Sequence, residues 1–212
     1  MKASIVLFDF GNVLASWQPD RRIAEYARLT GLAPQEVRAR LERDAFSSDA
    51  DTGHYTLDEI EAEICERLEH EFSHAELLRL QAIAFELQPT MISLARAVHR
   101  RCAVGVLTNN GPLFRACLGS SFPEVAQICD PILVSSELGY VKPDPRSFAA
   151  AEAALGLTGE RIVFVDDTEA HVVAARSRGW HASVYRSVTE LERDFAAVGL
   201  IAPDTRSRGG PQ

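Results

Sequence analysis

The chain has 212 residues, and its 22 Lys and Arg against 30 Asp and Glu give it a formal net charge of −8. A hydrophobic fraction of 46% and a charged fraction of 25% are typical of a globular protein, and the length allows one substantial core and a smaller lobe. The acidic balance and the lack of any apolar stretch near the roughly 20 residues of a membrane span argue against nucleic acid and membrane as partners.

The first predicted element is a buried parallel strand at residues 3–9. This apolar run is too short for a typical helix, ends on Asp9, and turns through Gly11 and Asn12. A carboxylate at the carboxyl end of a buried strand lies where open α/β sheets place their chemistry. Asp9 is therefore the first candidate for a site residue.

Residues 16–88 have the periodicity of amphipathic helices. Apolar residues recur at spacings of three and four in residues 57–68 and again in residues 77–87. Proline and glycine residues interrupt the segment between these stretches. We therefore predict an all-helical insert after the first strand.

Within the insert, residues 70–74 read H-E-x-x-H, the spacing of a zinc-binding helix. Both histidines would face one side only on a continuous helix, and no third ligand is evident. Ser73 and Glu76 have the spacing of a capping box, which predicts that one helix ends near His70 and another begins at His74. We therefore do not expect zinc chemistry here.

After Pro89 the pattern alternates between helices and strands. The predicted strands are residues 103–107, 132–134, 161–165 and 182–185, and the predicted helices are residues 91–98, a short helix to about 118, 146–155 and 168–178. Such alternation predicts a parallel sheet with helices on both faces. We assign residues 1–15 and 89–202 to this core, 16–88 to the insert, and 203–212, which are rich in Gly, Ser and Arg, to a disordered tail.

Polar side chains follow three of these strands: Asp9, then Thr108 with Asn109, then Asp166 with Asp167. Because the carboxyl ends of parallel strands lie along one edge of a sheet, these side chains are expected to converge. Carboxylates a few ångströms apart do not all stay ionised without a cation. Mg²⁺ prefers oxygen ligands and typically takes one or two carboxylates plus a substrate phosphate, so we predict a Mg²⁺ site here.

The remaining polar groups at this edge suit a phosphate. Thr108 offers a hydroxyl and Asn109 an amide to phosphate oxygens, and Lys142 supplies a positive charge. A carboxylate nucleophile, a metal ion and a lysine together favour phosphoryl transfer through an aspartyl-phosphate.

Four segments resemble, in order, the four motifs of the haloacid dehalogenase superfamily. They are DFGNV at Asp9, TNN at Thr108, VKPDPRSF around Lys142 and VFVDDT at Asp166, and they span the chain from the first strand to the last. The resemblance implies a Rossmann-like α/β core and identifies the helical insert with that family's helical cap.

The resemblance also implies a role for each matching position. Asp9 would be the nucleophile and a metal ligand, and Gly11 would give its backbone carbonyl to Mg²⁺. Thr108 and Lys142 would hold the phosphoryl group. Asp167 would bind the metal directly, whereas Asp166 would act mainly through water.

Gly11 departs from the commonest phosphatase pattern of this superfamily, in which a second Asp stands two residues after the nucleophile. That Asp protonates the leaving group and activates water, a contribution typically of about 10²–10⁴-fold. Members that resemble sugar-1-phosphatases carry the same DxGNV form. Our hypothesis is that a metal-bound or ordered water or a cap residue takes this role, or that the leaving group needs little help.

We therefore predict a cytoplasmic, Mg²⁺-dependent phosphatase of small phosphate monoesters, with sugar phosphates as the first class to test. One alternative is a 2-haloacid dehalogenase, because these enzymes also lack the second Asp; the pair Asp166 and Asp167 favours the phosphatase. The other alternative is a weakly active or inactive protein that binds a phosphorylated ligand or a partner protein. Four cysteines without CxxC spacing favour a reducing compartment.

Several further residues have two interpretations. His171 lies on the same helix face as Asp167 and either orients Lys142 or Asp167 or is an ordinary partly exposed histidine. The segment of Trp17, Gln18 and Pro19 forms either a flap over the site or plain packing between cap and core. The candidates for substrate contact from the cap are Tyr26, Phe46, His54 and Tyr55.

Overall fold

The computed structural model describes residues 3–202, so the predicted disordered tail at 203–212 lies outside the described residues. Its centre is a parallel sheet of five strands: β1 (Ile5–Phe8), β4 (Ala103–Thr108), β5 (Ile132–Val134), β6 (Ile162–Asp166) and β7 (His181–Val184). Across the sheet they lie in the order β5-β4-β1-β6-β7. The predicted parallel sheet is confirmed, with strand ends displaced by one or two residues at most.

Side chains of the central strands alternate between two apolar cores. In β1, Val6 and Phe8 enter one core, whereas Ile5 and Leu7 enter the other. Both faces are covered by helices, which explains why the strand reads as a continuous apolar run instead of an alternating one. The sheet thus lies between two helical layers.

The helices form two groups, one inserted after the first strand and one alternating with the strands of the sheet. The inserted helices are α1 (Pro19–Thr30), α2 (Pro34–Glu42), α3 (Phe46–Asp51), α4 (Leu57–Leu68) and α5 (His74–Ala82). The others are α6 (Pro89–His99), α7 (Pro112–Ser121), α8 (Pro123–Ile128), α9 (Ser135–Leu138), α10 (Pro145–Leu155), α11 (Glu169–Ser177) and α12 (Val188–Ala197). No described helix is both long and apolar enough to cross a bilayer.

Local sequence signals set several helix ends. Thr56 and Ser73 each form a complete capping box, with Glu59 and Glu76 respectively. The helix before Ser73 ends at Leu68, and five residues separate it from the next helix, which begins at His74. The H-E-x-x-H stretch is therefore not on a continuous helix, as the capping box predicted.

The inserted helices share an apolar cluster of their own. Its members come from all five of these helices and include Tyr26, Ile64 and Leu77. Leu113 of α7 joins the cluster from the core side. The insert therefore packs internally and rests on the core through α7.

The insert begins and ends in a small antiparallel pair, β2 (Ala15–Trp17) with β3 (Phe85–Leu87). The helix predicted for residues 77–87 was wrong at its end, because α5 stops at Ala82. Phe85 packs edge-on against Phe10 and Phe114, with ring centroids 5.0 and 5.5 Å away. This packing in the core overrides the helical periodicity.

Three helices lie where no helix was predicted. Two of them, α8 and α9, flank β5, and α12 follows β7. Leu191 and Phe195 of α12 are buried in the same core as Phe8, and the rings of Phe8 and Phe195 lie 6.2 Å apart. Through this contact α12 covers part of one face of the sheet.

Candidate active site

Asp9 directly follows β1, the middle strand of the sheet, and lies between the ends of β4 and β6. Its backbone N–H donates to Val165 at 2.8 Å, which extends the pairing by one residue. One carboxylate oxygen, Oδ1, accepts from the N–H of Phe10 at 2.8 Å and lies 3.0 Å from Nζ of Lys142. These two donors fix the orientation of the carboxylate.

Lys142 is buried, with 3% of its surface exposed. Its ammonium lies 3.0 Å from Asp9 Oδ1 and 2.6 Å from Asp166 Oδ2, and it donates to the carbonyl of Leu107 at 2.9 Å. An ammonium has three N–H donors, so these three contacts match its full capacity. The loop that carries Lys142 thus joins the ends of β1, β4 and β6.

Asp166 is fully buried and accepts from several donors. Besides Lys142, these are the N–H of Thr168 at 2.8 Å and Nδ1 of His171, 2.9 and 3.0 Å from the two carboxylate oxygens. Burial opposes ionisation, but His171 and Lys142 hold the pKa of Asp166 below its ordinary value. The sequence left open whether His171 orients Lys142 or Asp167 or is an ordinary partly exposed histidine, and neither interpretation named Asp166, which the ring contacts.

Asn109 uses its side chain on the backbone of Lys142. Its Nδ2 donates to the Lys142 carbonyl, and its Oδ1 accepts from the Lys142 N–H, both at 2.8 Å. The amide was predicted to bind phosphate oxygens, but it instead holds the lysine loop against the end of β4. We therefore treat Asn109 as a positioning residue.

Thr108 is buried at the end of β4, and its hydroxyl oxygen accepts from Nδ2 of Asn110 at 2.9 Å. The Thr108 O–H thereby stays available as a donor. Asn110 is itself held by Ser135, whose Oγ accepts the Asn110 N–H at 3.0 Å. Asn110 was not singled out from the sequence, although the TNN motif contains it.

Asp167 lies at the mouth of the site and accepts from Nδ2 of Asn12 at 3.1 Å. Asn12 has a left-handed backbone, with a φ of 57°, and its Oδ1 accepts from the N–H of Trp17. An isolated β-bridge pairs Gly11 with Ala15. Its two hydrogen bonds run from the Ala15 N–H to the Phe10 carbonyl and from the Asn12 N–H to the Ala15 carbonyl, so the Gly11 carbonyl is not used in this bridge.

Carboxylate oxygens of Asp9, Asp166 and Asp167 lie within 4.8 Å of one another. Burial raises the pKa of Asp9 above its ordinary value, Lys142 partly offsets this, and Asp166 adds to it. Lys142 contacts two of these three carboxylates and supplies one positive charge, which leaves an excess of negative charge. Hard oxygen donors with such an excess fit a divalent cation such as Mg²⁺, and Asp166 is the least accessible of the three because protein donors already occupy it.

A cavity of about 530 Å³ opens above these groups toward the inserted helices. Asp9, Gly11, Thr108, Asn109, Lys142, Asp167 and His171 line its floor. Of the residues predicted on the cap side, Trp17, Pro19, Tyr26 and Phe46 line it, whereas the described lining does not include Gln18, His54 or Tyr55.

Arg22, Asp51 and Gln81 also line the cavity and were not predicted. Arg22 donates to the side-chain oxygen of Gln81, while its Nε is buried without a hydrogen-bond partner among the described residues. In the sequence these are ordinary polar residues of amphipathic helices. Only the folded insert shows that they line the same cavity as Asp9.

Residues 3–179 match the family of haloacid dehalogenase-like hydrolases. Phosphatase MT3486 of Mycobacterium tuberculosis is 30% identical over 214 residues, which cover 95% of this chain and 97% of that protein.

Two solved structures illustrate the shared fold. A HAD-family enzyme of Bacteroides thetaiotaomicron, BT-2542, in complex with magnesium and inorganic phosphate, is 19% identical with a TM-score of 0.74, covering 87% of this chain and 94% of that one. The L-2-haloacid dehalogenase of Xanthobacter autotrophicus with chloropropionic acid covalently bound is 18% identical with a TM-score of 0.59, covering 95% and 85%. At these identities the similarity concerns the fold alone.

Proposed function

Because the chain belongs to the haloacid dehalogenase-like hydrolase family, we propose that it is a Mg²⁺-dependent phosphatase that hydrolyses small phosphate monoesters through an aspartyl-phosphate. The observation that carries this proposal is the group of three carboxylates at one edge of the sheet, of which Asp9 and Asp166 contact the buried Lys142. Thr108 lines the same cavity. The homologous mycobacterial phosphatase supports the same reaction class.

The residues divide the chemistry among them. Asp9, Asp167 and the Gly11 carbonyl would hold Mg²⁺, with Asp166 behind them through water, and the ion would supply charge stabilisation to the phosphoryl oxygens. Asp9 attacks phosphorus, and the bond between phosphorus and the leaving oxygen breaks. Thr108 donates its O–H to a phosphoryl oxygen, and Lys142 stabilises negative charge on the same group. Water then hydrolyses the aspartyl-phosphate and restores Asp9.

For the substrate we propose a small, polar leaving group such as a sugar. A cavity of about 530 Å³ suits a small metabolite. Its cap side combines the rings of Tyr26 and Phe46 with the polar groups of Arg22 and Gln81. Polar groups beside aromatic rings suit hydroxyl-bearing substrates better than purely apolar ones.

The test is turnover of para-nitrophenyl phosphate with Mg²⁺. We expect release of phosphate by the wild type and its loss in Asp9→Asn, because an amide is not a nucleophile. Asp58→Asn, an exposed position at the start of α4, is the matched control and should retain activity. Equal turnover in wild type and Asp9→Asn would contradict the proposal.

A dehalogenase remains the second candidate because Gly11 lacks a carboxylate. Halide release from a 2-haloacid without Mg²⁺, and no release of phosphate, would favour it. If neither phosphate nor halide is released across a broad substrate panel, the chain would instead be a binding protein of the same fold.

We also propose a cytoplasmic location. All four cysteines are free thiols, and Cys117 and Cys129 are buried. Free thiols are typical of a reducing compartment. Fractionation of cells that express the chain from its own promoter would test this.

A further inference from the structure

The proposed phosphatase reaction needs a proton for its leaving group, and Gly11 has no side chain to provide one. The missing carboxylate is not excluded by space. A Cβ at Gly11 would meet Trp17 Cβ at 3.8 Å, an ordinary contact, and Gly11 is not among the glycines with positive φ. The absence of a carboxylate at Gly11 therefore calls for a donor from elsewhere in the cavity.

We propose that Asp51, at the end of α3, protonates the leaving group and later accepts a proton from the attacking water. Asp51 lines the same cavity as Asp9, on the cap side where a leaving group would lie. Its carboxyl makes no hydrogen bond or ion pair within residues 3–202 and is partly exposed to the cavity. Of the carboxylates that line this cavity on the cap side, Glu42 is paired with Arg38, whereas Asp51 is not paired.

A chain of hydrogen bonds connects the backbone of Asp51 to the carboxyl end of β4, where the phosphoryl group is proposed to bind. Ser135 Oγ donates to the Asp51 carbonyl at 2.6 Å and accepts the Asn110 N–H at 3.0 Å. Asn110 in turn donates to Thr108 Oγ1 at 2.9 Å. The backbone of Asp51 is thus linked through two residues to the hydroxyl proposed to bind the phosphoryl group.

The surroundings of Asp51 increase the fraction of its carboxyl that is protonated. Burial raises the pKa of Asp51 to about 6, although Arg22 opposes the shift. On α3 itself Asp49 faces His54, and on α9 Glu137 faces Arg115. The other charged groups of the cavity are Arg38 and Glu42 on α2 and, on its floor, Asp9, Lys142, Asp167 and His171.

The proton and electron balance closes over two steps. As Asp9 forms its bond to phosphorus, the leaving oxygen takes the proton of Asp51 and departs as an alcohol. Asp51, now a carboxylate, takes a proton from water as that water attacks phosphorus. The bond from phosphorus to Asp9 breaks, inorganic phosphate leaves, and Asp51 is again protonated.

The experiment compares two esters, because only a poor leaving group needs the proton. For Asp51→Asn we expect kcat/KM to fall about 100-fold on β-glycerophosphate and less than about five-fold on para-nitrophenyl phosphate. Asp49→Asn, on the same helix but outside the cavity lining, is the matched control and should change neither value. Equal losses on both esters would indicate a structural role and overturn the proposal.

The dependence on pH gives a second readout. Since the raised pKa keeps Asp51 protonated below about pH 6, its advantage is present there and is lost as pH rises. The ratio of wild-type to Asp51→Asn kcat/KM on β-glycerophosphate should therefore fall about tenfold per pH unit above about pH 6. A ratio that does not change with pH would contradict proton donation by this residue.

Gly11→Asp provides a rescue. If Asp51 supplies the proton, adding Asp51→Asn to Gly11→Asp should cost less than about tenfold on β-glycerophosphate, because the new carboxylate takes over. The full loss in that background would overturn the proposal. The role of Asp51 rests on the proposed function, but different variants test the two claims. Asp9→Asn tests whether the chain is a phosphatase, and Asp51→Asn tests whether Asp51 donates the proton.

Discussion

At the scale of single residues, the positive charge of Lys142 stabilises the buried carboxylates of the site. Its ammonium lies between Asp9 and Asp166, and all three groups are buried. Leaving a buried charge without its partner typically costs about 3–5 kcal/mol, far more than an exposed ion pair contributes. The same lysine therefore serves both folding and the proposed chemistry.

We predict that Lys142→Met lowers the free energy of unfolding by about 3–5 kcal/mol at neutral pH without divalent cations. The matched control is Arg146→Met, which removes an exposed pair with Asp144 and should cost less than about 1 kcal/mol. Urea unfolding measures both values. Adding Asp166→Asn to Lys142→Met should recover part of the loss, and equal costs for the two single variants would contradict the argument.

Most of the candidate site could be predicted from residue identity and strand ends, because the ends of parallel strands meet at one edge. What the sequence does not show is which atoms a side chain already uses. Asn109 was expected to contact phosphate, yet both ends of its amide hold the Lys142 backbone. No sequence pattern around Asp51 indicates a site residue, because its place in the cavity depends on how the insert folds over β1.

At the scale of secondary-structure elements, the contact between the end of α3 and the start of α9 positions the inserted helices. Gly53 has a φ of +79°, and a Cβ there would lie 2.2 Å from the carbonyl oxygen of Ser136. Such an approach is open only to glycine. The contact lies next to the hydrogen bond between Ser135 and Asp51.

Gly53→Ala should therefore displace this part of the cap and lower kcat/KM on para-nitrophenyl phosphate by about tenfold or more. Gly31→Ala is a close control, because Gly31 has a φ of +76° and a Cβ there would meet nothing within 4 Å. Both variants carry the backbone strain of about 1–2 kcal/mol, and only the first adds the clash. Similar activities for the two at matched stability would argue against a positioning role for this contact.

Elements with a strong period or a complete cap were predicted well, and those decided by tertiary packing were not. The capping box at Ser73 correctly separated α4 from α5. The apolar spacing of residues 77–87 did not reveal β3, because the position of Phe85 is determined by packing in the aromatic core and by strand pairing with Trp17. No local pattern distinguishes these outcomes.

At the scale of the whole molecule, charge links folding to metal binding. The chain carries a net charge of −8, and the candidate site brings three carboxylates within 4.8 Å of one another with one lysine in contact with two of them. A cation that binds only the folded state stabilises it by about 2.7 kcal/mol at 100 times its dissociation constant. Stability should therefore report metal binding even without a substrate.

We predict that saturating Mg²⁺ raises the Tm of the wild type by roughly 5–10 °C. In Asp167→Asn the rise should be much smaller, because a proposed ligand is lost. Asp58→Asn should keep the full rise, and NaCl at matched ionic strength should not reproduce it. Equal shifts in wild type and Asp167→Asn would point to general screening of the acidic surface, and not to this site.

The antiparallel pair of β2 and β3 has a further consequence for how such a protein evolves. The chain leaves the sheet through Ala15–Trp17 and returns through Phe85–Leu87, so the two junctions lie side by side, about 5 Å apart. Everything between them could be exchanged for a short hairpin turn without stretching the backbone on either side. Lineages could thus acquire, lose or replace the lobe above Asp9, and with it their substrate range, while inheriting the sheet and its catalytic edge unchanged.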